Sequence, residues 1–115
     1  MSIPVEIMLR GDERVYAEQV AQPAGDPLSW GEDQVSELLR AILLAIDRVQ
    51  NPDRSGEPPV GFRGVNWIVS RYRDGVVVAV EIHSASAVAG PVPVDVAQLE
   101  DLLARVIRAE RPSSV

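Results

Sequence analysis

The alternation of apolar and polar residues near the start of the chain predicts a β-hairpin. Residues 3–10 place isoleucine, valine and leucine at every second position, and residues 14–20 are predicted to form the returning strand. Successive side chains of a strand point to opposite faces, so this spacing predicts one buried and one exposed face. Gly11-Asp12 between the two runs supplies the residues that a tight turn requires.

A second hairpin is predicted from residues 62–73 and 76–83, with Asp74-Gly75 as its two-residue turn. This turn would pair Val69 with Val80 and fix the faces of both strands. The face predicted to be core carries Val65, Trp67, Val69, Val76, Val78, Val80 and Ile82. The opposite face, which mixes polar and apolar residues, carries Asn66, Ile68, Ser70, Tyr72, Val77, Ala79, Glu81 and His83.

Each hairpin is followed by an amphipathic helix. The helical spacing of apolar residues predicts one helix that has Ser29 as its N-cap and stops before Pro52, and a second helix capped by Asp95. In the first helix, Leu43 and Leu44 widen the apolar stripe beyond one face. A helix with so wide a stripe is covered on two sides, either by other elements of the same domain or on one side by another chain. We favour the second explanation and interpret these two leucines as contacts with another chain.

These elements combine into a single α+β domain over residues 1–111, followed by a frayed tail at 112–115. The predicted order is ββαββα, a four-stranded antiparallel sheet with two helices on one face. Residues 84–94 are small and contain prolines, so they are predicted to form a loop. Both halves end in a capped amphipathic helix, which raises the alternative of an internal ββα duplication.

Composition limits the chemistry that this chain can carry. The 115 residues include no cysteine and one histidine, which argues against thiolate metal sites and zinc sites built from several imidazoles. A formal charge of −6 disfavours a broad nucleic-acid surface, because phosphate binding needs a basic one. There is no apolar run of the roughly 20 residues that a membrane span needs, and residues 1–10 lack a signal-peptide pattern. We therefore expect an acidic, cytoplasmic bacterial protein that binds no cofactor.

Candidate catalytic and ligand-binding groups are few. Glu81, His83 and Ser84 lie close together in the sequence, but adjacent strand residues point to opposite faces, so His83 is not expected to activate Ser84. We therefore predict that the protein is not an enzyme. The alternative function is a small-ligand or nucleic-acid site at the one basic and aromatic cluster, which comprises Arg63, Arg71, Tyr72 and Arg73.

The leading hypothesis is a non-enzymatic protein-interaction module that forms a homodimer or binds a partner protein. Such a module would act as an adaptor, a chaperone-like protein or an inhibitory partner. The hypothesis depends on the half-apolar open face of the sheet and on the wide stripe of the first helix. The predicted interface residues are Leu43, Leu44, Ile68, Tyr72, Val77 and Ala79.

Overall fold

The computed structural model describes residues 2–56, 58, 60–62 and 64–110. Arg63 of the predicted basic cluster and the predicted tail at 112–115 lie outside these residues. A 3₁₀ turn at Pro27–Ser29 precedes the first helix. The strands and α-helices are β1 (Ser2–Leu9), β2 (Tyr16–Ala21), α1 (Glu32–Gln50), β3 (Asn66–Tyr72), β4 (Gly75–Ile82), β5 (Ala85–Val92) and α2 (Val96–Glu110).

All five of these strands form one antiparallel sheet in the order β2-β1-β5-β4-β3. The α+β class, the antiparallel sheet and the two helices are confirmed. The predicted strand count and the order ββαββα are wrong, because the described chain runs ββαβββα. The second half of the chain has one strand more than the first, so the two halves do not repeat a ββα unit.

The additional strand, β5, is the central strand of the sheet, although its residues were predicted to form a loop. Ala85, Ala87 and Ala89 are buried on one face, while Val88 is exposed on the other. Small side chains on the buried face let α1 pack close to the middle of the sheet. Alanine, glycine and proline are depleted in strands, so this segment lacks the composition by which a strand is recognised.

The hairpin of β3 and β4 has the predicted faces but a different register. Tyr72 pairs with Gly75, so the turn residues are Arg73 and Asp74 instead of Asp74 and Gly75. Val69 consequently lies opposite Val78 and not Val80. Because side chains repeat every two residues along a strand, a shift of two residues leaves each one on its predicted face.

Two glycines explain this register. A Cβ atom at Gly75 would lie 2.9 Å from the carbonyl oxygen of Val92, and one at Gly90 would lie 2.7 Å from that of Val76. Both close approaches occur where the pairing of β4 with β5 shifts between Val76 and Val78. Glycine at position 75 therefore allows two backbones to approach each other closely, and it is not a residue of the hairpin turn.

The two helices start differently from one another. Asp95 caps α2 as predicted, since its Oδ2 accepts a hydrogen bond from the backbone N–H of Gln98 at 3.1 Å. The N-cap of α1 is Gly31, whose N–H donates to Oε1 of Gln34 at 2.9 Å, and Ser29 lies in the preceding 3₁₀ turn. Neither helix in the described part of the chain combines the length and the apolarity that crossing a membrane requires.

Most of the wide apolar stripe of α1 is covered by other elements of the same chain. The helix packs against α2 and against three strands, β1, β2 and β5. Leu43 is buried in the core and Leu44 is half-buried. Because the sheet and α2 cover the helix on two sides, a second chain is not needed to bury Leu43, and we do not propose a contact there.

Gly90→Ala is expected to destabilise the protein. Gly90 has a φ of +126°, and a Cβ there would also meet the backbone oxygen of Val76. Backbone strain of this kind costs about 1–3 kcal/mol, which urea unfolding followed by circular dichroism would measure. Gly61→Ala is the matched control, since a Cβ at Gly61 would have no heavy atom within 4 Å. Equal losses in the two variants would contradict the close-approach role.

Candidate functional site

The face of the sheet opposite the helices is open and carries exposed apolar side chains. Six large apolar residues are exposed in the described part of the chain. Four of them project from this open face, namely Met8, Ile68, Tyr72 and Val88. The other two, Val15 and Leu28, lie outside the strands.

The strand register aligns a row of side chains across the open face. From β2 to β3, successive partners in this row are Ala17, Glu6, Val88, Ala79 and Ile68. Glu6 is the one charged member of the row. From β5 outward to β3 the row is therefore entirely apolar, and the three strands present a continuous apolar surface.

Apolar exposure is greatest on β3, the outermost strand on that side. Ile68 is 66% exposed and Tyr72 is 47% exposed, whereas Val77 and Ala79 on β4 are half-buried. These four residues, all of them predicted interface residues, share the open face, and we call them the β3–β4 patch. The predicted Leu43 and Leu44 lie on α1, on the opposite side of the sheet.

Met8 and Val88 also belong to the open face, although neither was among the predicted interface residues. Met8 occupies a polar-side position in the alternation of residues 3–10, so the pattern contained the signal for it. Val88 belongs to β5, which was not predicted as a strand. The pairing of β5 with β1 and β4 places Val88 on the open face.

The three described residues of the predicted basic cluster, Arg71, Tyr72 and Arg73, do not all lie on one face of the sheet. Arg71 and Tyr72 are adjacent on β3 and therefore point to opposite faces of the sheet. The Arg73 guanidinium carbon lies 5.4 Å from the centroid of the Tyr72 ring, so these two side chains do come together. Arg71 and Arg73 line a cavity of about 210 Å³ that Asp74 and Asp95 also line, so its charge is mixed.

The second candidate group surrounds His83, beside a larger groove of about 600 Å³ that Arg10 and Glu81 also line. Nη1 of Arg10 donates a hydrogen bond to the carbonyl oxygen of His83 at 3.3 Å. The hydroxyl of Ser84 accepts a hydrogen bond from Nε2 of Gln50 at 2.6 Å, so its recorded partner is not His83. The structure therefore does not bring a nucleophile and a base together here.

Metal-binding side chains are also dispersed. Within residues 2–56, 58, 60–62 and 64–110, no three histidine, aspartate or glutamate side chains are grouped so that they could hold a metal ion. Glu6 and Glu81 face the same side of the sheet but stand on different strands, with β5 between them. We infer no metal centre from these residues.

A polar network at the turn of the first hairpin has a structural role. Asp12 accepts hydrogen bonds from the Arg14 backbone N–H at 2.9 Å and from the Tyr16 hydroxyl at 2.7 Å, and it forms an ion pair with the Arg14 guanidinium at 3.2 Å. The Arg14 guanidinium, the Arg14 backbone N–H and the Tyr16 hydroxyl hold the pKa of Asp12 well below its usual range. Tyr16 points to the helix side, so this network fixes the turn and does not contribute to the open face.

Comparisons of the chain with protein-family models, with curated proteins and with solved structures found no match. The open face is therefore interpreted from its own residues and their geometry.

Asp12→Asn is expected to lower the thermal midpoint near pH 7 and to have little effect in acid. The folded-state pKa of Asp12 lies below its ordinary value of 3.8, so the network stabilises the fold above that pH and the stabilisation fades as pH falls. Thermal unfolding of both proteins from about pH 7 down to about pH 1, through the unfolded-state pKa and towards the folded-state one, measures this difference. Glu13→Gln, at the adjacent exposed carboxylate, is the control. A difference that stays constant over this range would contradict the role of the network.

Proposed function

We propose that this protein is a non-enzymatic interaction module that self-associates as a homodimer through the β3–β4 patch. The supporting observation is the exposure of Ile68 and Tyr72 on the open face, where an apolar row continues through Ala79 to Val88. Large contiguous apolar patches are uncommon on monomeric proteins and are typical of interaction sites.

The energetics of burial favour association at this patch. Fully burying an isoleucine or aromatic side chain contributes on the order of 1.5–3 kcal/mol. Both helices direct their apolar stripes into the core, so the largest apolar groups available for an intermolecular contact are on the sheet. A contact there would bury side chains that the fold itself leaves in water.

The distribution of charge also supports the β3–β4 patch. Each chain carries a formal charge of −6, so two copies repel each other wherever acidic residues meet. The four residues of the patch are uncharged, and Arg73 stacks beside Tyr72 at its border. Depletion of charge in the centre is a feature of protein interfaces.

A dimer of this kind would serve as an adaptor, a chaperone-like protein or an inhibitory partner, since its surface offers contacts and not an assembled catalytic group. We further propose a cytoplasmic location. The absence of cysteine from the 115 residues supports this proposal, because small exported domains are often held by disulfides.

Ile68→Asp and Tyr72→Asp are each expected to weaken the homodimer at least about tenfold, because a charged carboxylate would replace an apolar side chain in the contact between subunits. Native mass spectrometry and sedimentation measure the mass, which we expect to be about twice 12.5 kDa for the wild-type protein. Leu28→Asp is the matched control, since Leu28 is 61% exposed but lies in the 3₁₀ turn.

Circular dichroism of all three variants would verify that the fold is retained. A wild-type protein that is monomeric at every concentration would overturn the proposed self-association. Aspartate variants that remain dimeric would show that the dimer forms away from the β3–β4 patch.

A further inference from the structure

The outer edge of β3 offers a second recognition element beside the β3–β4 patch. We propose that two copies of the chain join edge to edge through β3, antiparallel about a two-fold axis, and so form one continuous ten-stranded sheet. This inference depends on the proposed self-association, since it specifies how the same surface meets its partner. Strand addition of this kind uses main-chain hydrogen bonds for affinity and flanking side chains for specificity.

The backbone of β3 has hydrogen-bonding groups available for this contact. In the described part of the chain, β3 pairs with β4 and with no other strand. Tyr72 and Gly75 close a two-residue turn, so the even-numbered residues of β3 exchange hydrogen bonds with β4. The odd-numbered residues Trp67, Val69 and Arg71 consequently direct their N–H and C=O groups outward.

The two edge strands of the sheet, β2 and β3, differ in the features that prevent pairing with a strand of another chain. Natural proteins prevent edge pairing with prolines, with charged residues and with charges that point inward. The edge strand β2 has such a charge, because Glu18 points to the helix side and forms an ion pair with Arg48 at 3.4 Å. β3 also has one charge on the helix side, Arg71, but it lies at the turn end of the strand and forms no ion pair within the described residues. Residues 66–70 of β3 contain neither a charge nor a proline and are rich in aromatic and β-branched residues.

A register centred on Val69 suits the pairing of two copies at this edge. The three outward-directed residues are centred on Val69, and antiparallel pairing about Val69 places Trp67 opposite the partner's Arg71. Trp67 is half-buried and Arg71 is exposed, so the indole ring and the guanidinium can meet in a cation–π contact. Pairing centred on Arg71 would instead oppose two guanidinium groups, which is unfavourable.

Charge does not oppose pairing of two copies along β3. β3 contains no acidic residue, although the whole chain carries a charge of −6. Two copies therefore meet here with less repulsion than at surfaces that carry carboxylates. A basic partner strand would face both Arg71 and Arg73, whereas a second copy brings Trp67 to Arg71.

The same register brings the exposed side chains of β3 together across the joint between the subunits. On the open face it places Ile68 opposite the partner's Ser70, and Tyr72 opposite the partner's Asn66. The two copies of Ile68 become diagonal neighbours across the joint, within reach of each other. Two β3–β4 patches would then form one apolar surface that spans both subunits.

Cysteine cross-linking tests the register directly, because the natural chain contains no cysteine. Ile68→Cys and Ser70→Cys alter exposed positions on the open face and leave the core unchanged. In the proposed register these two positions form a non-hydrogen-bonded pair with Cα atoms about 4.5 Å apart, which a disulfide can bridge. Identical positions would be diagonal and about 7–8 Å apart, which is too far.

The two variants would be mixed under reducing conditions, allowed to exchange subunits and then oxidised. Mass spectrometry distinguishes the mixed disulfide from the two symmetric ones by mass. We expect the mixed disulfide to exceed either symmetric product at least about tenfold. A statistical mixture, or a predominantly symmetric disulfide from either variant, would overturn the proposed register.

Val88→Asp distinguishes edge pairing from stacking of the two open faces. Val88 lies on the central strand β5, so edge pairing leaves it uncovered and the dimer mass is expected to be unchanged. Loss of the dimer in this variant would indicate face-to-face stacking and overturn edge pairing, while the proposed self-association would stand. A monomeric wild-type protein would overturn both proposals.

Discussion

The structure depends on the pairing of β5 with both hairpins. Isolated two-stranded hairpins are marginally stable in water, and β5 joins two of them by pairing with β1 on one side and β4 on the other. Its buried alanines keep the centre of the sheet thin, so that α1 can pack on it. Both helices then cover one face, and this arrangement leaves the opposite face open.

The location of the open face determines where a partner can bind. Most apolar residues of α1 and α2 are buried in the core, whereas Ile68 and Tyr72 of the β3–β4 patch are exposed to solvent. The edge of β3 adjoins this patch, so exposed side chains and available backbone groups occur on the same strand. Their combination supports strand pairing between two copies more strongly than either feature does separately.

The two-residue period of a strand also keeps some residues that are adjacent in the sequence from forming a common site. Arg71 and Tyr72 are adjacent in the sequence but lie on opposite faces, so a basic and aromatic site does not form between them. The hydroxyl of Ser84 is occupied by Gln50. Asp12 and Arg14 are engaged with each other and with Tyr16 in a network that secures the turn of the first hairpin.

The sequence by itself determined the local elements of this protein: both hairpins, the faces of their strands, the two helices and the cap at Asp95. Hydrophobic periodicity and capping chemistry involve residues only a few positions apart, so they are visible without the fold. The tertiary structure decided the strand identity of β5, the register at Gly75 and the burial of Leu43. Each of these depends on contacts between distant segments: β5 with β1, Gly75 with Val92, and α1 with α2 and the sheet.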